Sequence, residues 1–542
     1  MNVVLLEILW ARLLAIVNEQ QTALIRTAFS TVVRESQDLA CGVFDARGQM
    51  LAQSLTGTPG HINAMATGVI HFLRAYPPET LVPGDVLVTN DPWQTAGQVN
   101  DFTVLTPVFR GGRVVAYFAN TCHAPDVGGR LLSAEAREVF EEGLRVPITR
   151  LFSAGRPNEE LFKLIRANVR TPDETVGDLY AQAACNAVGA DRLSALMDSA
   201  ALESLETLGD EIVARSERAL RAAIAALPDG VYQHRVWSDG FEAPIELCCT
   251  ATIAGEAITL DFSGSSPQSA RGINVVLNYT RAYASFAIKA ALCPDVPHNE
   301  GTFRPVTVTA PEGSILNCRP LAAVASRHIL GHFIPGVIFG ALAQAGVRVP
   351  APGADAVWIS VWRGEDRGRP FTFTLFQCGG MGARPDKDGL ATTGFPSGVA
   401  GVPAEVIETL TPLVVACREL LPDSGGAGAR RGGLGQRVVI NRRGREAWGV
   451  SAMVDRLQHP APGRAGGQAG HPGAFRINGQ PAAAKQFQAL GPDDRVELCL
   501  PGGGGLGEAR ARDPERVRAD LLAGYISAEQ AGDTYGLDAA SR

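Results

Sequence analysis

The spacing of apolar residues divides the chain into helical and strand-like stretches. Leu5, Ile8, Leu9, Leu13, Leu14, Ile16 and Val17 recur at helical intervals. Glu7, Arg12, Glu19 and Gln20 fall mostly on another face, which predicts an amphipathic helix over residues 4–26. Strands are expected at 40–45 and 49–54 about an Ala46-Arg47-Gly48 turn, then a helix over 63–75 that ends at Pro77-Pro78. A strand at 86–89 precedes a hairpin, 102–109 with 114–120, joined through Arg110-Gly111-Gly112-Arg113. Helical periodicity returns over 134–143 and 158–227, and alternation resumes at 230–236, 246–253 and 257–262. Helices are expected at 277–292 and 325–345, a Gly-rich strand region at 430–501 and a helical tail at 513–536.

The pattern predicts an α+β chain with antiparallel hairpins, central helices, a Gly-rich β region and a C-terminal helical tail. With roughly one domain per 150 residues as a guide, 542 residues suggest about three or four units. We place them at 1–228, which carries the candidate site, 229–430, 431–510 and 511–542. Sixty Gly and 34 Pro favour tight turns over helical bundles. A net charge of −7 argues against a polyanion-binding surface, so nucleic acid is not an expected partner. No N-terminal signal pattern and no apolar stretch of membrane-spanning length is read, so a cytoplasmic protein with no membrane partner is expected. The ten Cys form no CxxC pair and are expected to be buried, reduced thiols.

Candidate chemistry concentrates in residues 84–129. A two-residue loop in the hairpin pairs Arg110 with Arg113 and sets Asp101 opposite Cys122, whereas a three-residue loop sets it opposite His123. Either register carries Asp101 and His123 to the same strand ends. Directly opposed Cβ atoms there lie about 5 Å apart. A carboxylate and an imidazole at that separation can share a divalent ion, or simply a hydrogen bond.

Ordered segments along nearly the whole chain resemble the hydantoinase B/oxoprolinase family. They include RTAFSTVVRESQDLACGVFDARGQMLAQ (26–53), PGDVLVTNDPW (83–93), NDFTVLTPVF (100–109), CHAPDVGG (122–129), EEGLRVPITRL (141–151), NEGTFRPVTVTAPEGSILN (299–317), LPDSGGAGARRGGLG (421–435) and LPGGGGLGEARARDPERVRADLLAGYISAEQA (500–531). The resemblance implies the metal-site, B-type subunit of an ATP-dependent cyclic-amide hydrolase acting on a hydantoin- or oxoproline-type lactam. It would form a hetero-oligomer with an A-type subunit that binds ATP. A related ketone carboxylase subunit, or a non-catalytic subunit that has lost its metal, are the alternatives.

By the same resemblance Asp101 and His123 are metal ligands, Asp38 is a further ligand or general base, and His61 belongs to a substrate-side turn with a catalytic role. Gln98 stands where the family has the first His of H-x-x-D. As a neutral, weakly donating ligand it leaves both the ion's presence and its identity (Zn, Mn or Fe) open.

Other signals carry less. Gly502-x-Gly504-x-x-Gly507 lacks the helix, second strand and acidic residue of a dinucleotide site. Neither Lys163, Lys289, Lys387 nor Lys485 follows a Gly, so no P-loop exists and ATP is expected on the partner. Asp423-Ser424-Gly425-Gly426 and residues 379–384 read as turns. His328 and His332 have i, i+4 spacing that can bind metal, but among Ile329, Leu330 and Phe333 they read as core histidines.

Overall fold

The computed structural model describes residues 3–537. Its first sheet has seven strands in the order β2-β1-β5-β4-β3-β6-β7. They are β1 (Leu39–Asp45), β2 (Met50–Gln53), β3 (Val86–Thr89), β4 (Asp101–Arg110), β5 (Arg113–His123), β6 (Thr149–Ser153) and β7 (Arg156–Pro157). All seven residues of β1 are buried, because both faces of the sheet are covered. Leu39, Cys41 and Val43 pack into a core with α1 (Val3–Thr27), α5 (Pro172–Ser199) and α6 (Glu206–Ala225). Ala40 and Phe44 face the other way, onto Ile62, Met65, Val69 and Phe72 of α3 (Pro59–Ala75). Between α1 and α3 lies the short α2 (Thr31–Arg34), and α4 (Glu159–Asn168) precedes α5.

A four-stranded sheet follows, β8 (Gly230–Ser238), β9 (Ile245–Ala254), β10 (Ala257–Asp261) and β11 (Val306–Thr309). Packed with it are α7 (Leu277–Leu292), α8 (His328–Gly331) and α9 (Ile334–Gln344). The third sheet joins β12 (Trp358–Asp366) and β13 (Arg369–Gln377) to β16 (Trp448–Met453) and β19 (Phe487–Leu490). The fourth joins β14 (Leu413–Leu420) to β15 (Gln436–Arg442), β20 (Val496–Cys499), β17 (Ala474–Ile477) and β18 (Gln480–Pro481). Strands on either side of residue 430 therefore share both late sheets. After the helix α10 (Ala404–Leu410), the tail carries α11 (Pro514–Leu522) and α12 (Ala528–Asp533). Among the described residues, no helix is long and apolar enough to cross a membrane.

Three sequence expectations are corrected. First, α3 begins at Pro59, not at 63: a ring that fixes φ and lacks an N–H suits the first helical position. His61 thus sits in a helical first turn. Second, the helix expected over 134–143 shrinks to a 3-10 turn at Val139–Glu141. Its backbone pairs sideways instead, Arg130 N with Glu141 O at 3.0 Å and Leu144 N with Val127 O at 2.8 Å. Third, residues 325–345 form α8 and α9 rather than one helix, with Pro335 opening α9.

Glu142 fastens the loop between β5 and β6 to the segment before α8. Its buried Oε1 accepts the backbone N–H groups of Val324 (2.5 Å) and Ala325 (2.7 Å). Burial drives its pKa up to about 8, with those N–H groups and Arg327 opposing only in part. The folded protein therefore holds a proton that the unfolded chain releases near 4.5, and stability should decline as pH rises from about 4.5 through about 8. Glu142→Gln should flatten the fall in Tm across that interval while keeping both N–H acceptor contacts. Parallel Tm–pH curves for the two proteins would refute the assignment.

Candidate functional site

The hairpin sets the first half of the site. Arg110 pairs with Arg113 across Gly111-Gly112, with φ of 56° and 74° that glycine accepts without strain. Phe109 then pairs with Val114 but Val108 with Ala116, so Val115 is an extra residue in β5. The two-residue turn and the bulge together place Asp101 opposite His123, as a three-residue loop alone would have done. The next strand adds Asp38 just before β1, and its carbonyl accepts the His123 N–H at 3.1 Å. From the face of the sheet, α3 delivers His61.

These side chains converge, all buried. His61 lies between two carboxylates, with Nε2 3.0 Å from Asp101 Oδ2 and Nδ1 3.5 Å from Asp38 Oδ1. Thr58 donates to Asp38 Oδ1 at 2.8 Å. His123 Nδ1 is 3.1 Å from Asp101 Oδ1 and 3.8 Å from Asp38 Oδ2. The Gln98 amide nitrogen bridges Asp101 Oδ1 at 2.7 Å and His123 Nδ1 at 2.8 Å. Turning that amide over would set its oxygen against the carboxylate, so the nitrogen faces inward. The His123 ring either accepts from Gln98 at Nδ1 or, as the other tautomer, donates from Nδ1 to Asp101.

Residues of α7 and around α8 supply what sequence reasoning missed. Arg327, just before α8, contacts Asp101 Oδ2 through Nη2 and donates from Nε to Ala96 O at 2.6 Å. Its guanidinium lies 4.0 Å from the Tyr279 ring centroid. Gly97 makes the approach possible: its φ is +89°, and a Cβ there would come within 2.9 Å of Arg327 Cδ. The signal available in sequence was a lone Arg inside the apolar run 321–342. His328 and His332, read as core histidines, line the same cavity, closed by Ile359 and Phe376 from the third sheet, by Val357 just before it and by Val399.

Electrostatics follow from this packing. Burial alone would keep Asp101 protonated, yet His61, Arg327 and the hydrogen bonds from His123 and His61 hold its pKa well below the usual range. Burial disfavours imidazolium at His61, but Asp101 and Asp38 outweigh it and raise its pKa. His328 goes the other way: burial, helped by His332 and Arg327, keeps it neutral.

The donor set does not fit the divalent ion that the sequence resemblance implied. Both oxygens of Asp101 are engaged, Oδ1 by Gln98 and His123, Oδ2 by His61 and Arg327. The Gln98 N–H group stands where an ion shared by Asp101 and His123 would sit, and the Gln98 carbonyl that could ligate is turned away without a partner. Among the described residues, no group of three or more His, Cys, Asp or Glu side chains is arranged to hold a metal.

The match to a protein family decides what this cluster belongs to. The Hydantoinase B/oxoprolinase model matches residues 2–509. The chain belongs to this family. It is 28% identical to the B-type subunit of a putative D-/L-hydantoinase from Pseudomonas sp. (strain NS671), over 95% of this chain and 91% of that one. It is also 28% identical to the 5-oxoprolinase PfmaA of Pestalotiopsis fici, over 98% of this chain but only 43% of the longer relative. In fold it matches the crystal structure of ATP-dependent caprolactamase from Pseudomonas jessenii, with a TM-score of 0.92 and 24% identity over 100% of this chain and 98% of that one.

Within this hydantoinase B/oxoprolinase member, the hydrogen-bonded cluster predicts weak metal retention. The purified protein should carry less than about a tenth of an equivalent of Zn, Mn or Fe by mass spectrometry, and Gln98→His should raise that towards one equivalent. A full equivalent in the unaltered protein contradicts this reading of the cluster.

Proposed function

We propose that this chain is the B-type subunit of an ATP-dependent cyclic-amide hydrolase and opens a hydantoin- or oxoproline-type lactam activated by an ATP-binding A-type partner. One observation carries the reading: the His61 imidazole is held between the Asp38 and Asp101 carboxylates on the wall of an enclosed cavity. Supporting it are the named relatives, the absence of a P-loop from the sequence, and a 5-oxoprolinase relative in which this chain corresponds to less than half the length.

The chemistry explains the division of labour. An unactivated lactam carbonyl is a poor electrophile. Phosphorylation of its oxygen by ATP, with loss of the ring N–H proton, gives an imidoyl phosphate. Water adds to that carbon, the ring C–N bond breaks, and both water protons end on the departing nitrogen. The product is an amino acyl phosphate, which a second water converts to carboxylate and phosphate. Asp38 can take the first proton and His61, whose pKa its neighbours raise, can give one to the nitrogen. The cavity is only about 20 Å³, too small for a ring, so substrate entry requires the walls around it to part.

With the partner subunit present, His61→Asn and Asp38→Asn should each slow ring opening by about 100-fold or more. Product formation should not depend on bicarbonate. Bicarbonate-dependent turnover of a ketone would replace this reading with carboxylation, and unaltered turnover in both variants would favour a non-catalytic subunit.

A further inference from the structure

The two histidines of residues 328–332 are not equivalent. His332 is tied into the backbone, its Nδ1 accepting the Val357 N–H at 3.3 Å. His328 is equally buried, yet neither of its ring nitrogens has a partner. Buried polar atoms are rarely left unpaired, and two on one ring call for an explanation. Its neighbours supply one. His328 lines the same cavity as His123, whose Nε2 is also unpartnered, and His61, whose Nδ1 makes only the 3.5 Å approach to Asp38. The remaining walls include Val357, Ile359, Phe376 and Val399. Unpartnered ring nitrogens on residues lining a space of about 20 Å³ match one water molecule in size and in hydrogen-bonding capacity.

From this geometry we infer that His328, together with His123, holds the water that attacks the activated ring carbon. The inference rests on the proposed hydrolase reading and names a residue for it. A neutral imidazole both accepts from and donates to water, and burial beside Arg327 and His332 keeps His328 neutral. Thr58, Ser397 and Arg327 also line the cavity but are hydrogen-bonded elsewhere, which leaves the imidazoles and the Gln98 carbonyl to orient the water. Asp38, on the same cavity, takes its first proton. His332 is the internal control, since its Nδ1 is already spent on Val357.

The test uses the full chain assembled with its ATP-binding partner and follows ADP and ring-opened product separately. In crystals of that complex, a water should lie at about 2.7–3.2 Å from a His328 ring nitrogen. His328→Ala should lower product formation by about 100-fold while the lactam KM stays within about threefold, and added imidazole should restore a measurable part. His328→Gln, which keeps a hydrogen-bonding end, should retain more activity than Ala and fold normally by circular dichroism. A dry cavity overturns the inference. So does product formation within about threefold of the unaltered complex in His328→Ala, or a loss that imidazole and Gln fail to relieve in folded protein. A complex of the unaltered chain that consumes ATP but opens no cyclic amide overturns the hydrolase reading and this inference together.

Discussion

Everything around the site answers to one constraint, the complete burial of the Asp101 carboxylate. A charge removed from water must be met by opposite charge and hydrogen bonds, or it will not stay ionised. Here Arg327, His61, His123 and Gln98 share that task, and they come from the segment before α8, a helix, a strand end and a loop. Withdrawing Arg327 would leave the buried carboxylate to His61 and the hydrogen bonds of Gln98 and His123. The site is therefore built from segments far apart in the chain. The glycines follow from the same demand. Gly97 lets the arginine pass, and Gly60 and Gly331 let Tyr279 wedge beneath it, since a Cβ at either position would fall 2.2–2.3 Å from that ring.

Much of the fold was legible in the sequence, where local rules govern. The first helix, β3 and α7 lie where periodicity placed them, because each is long or uniformly patterned and buries a definite face. The failures occurred where non-local contacts or proline decide. Residues 134–143 have helical spacing, but their backbone groups are claimed by a neighbouring loop. The stretch 325–345 is apolar enough for one helix, yet Pro335 restarts it.

The site divides along the same line. Asp101 and His123 were legible because a hairpin obeys local geometry, and Asp38, His61 and Gln98 were reached through family resemblance. Arg327 could not be found by spacing, since its role depends on a contact across 226 residues. For the same reason the two histidines near it looked like ordinary core residues. What Gln98 does was also hidden: sequence shows a lost imidazole, whereas the structure shows an amide N–H joining the carboxylate to the ring.

The extra residue at Val115 has a wider consequence. Side chains alternate across a pleated strand, so drawing Val115 into the ladder opposite Val108 would slide β5 by one step and bring Cys122 across from the aspartate. Cys122 belongs to the α1 side of the sheet, so the imidazole would turn its back on the carboxylate while the ribbon itself remained well paired. The register of this arm, and with it the chemistry of the site, therefore hangs on one residue held out of the ladder.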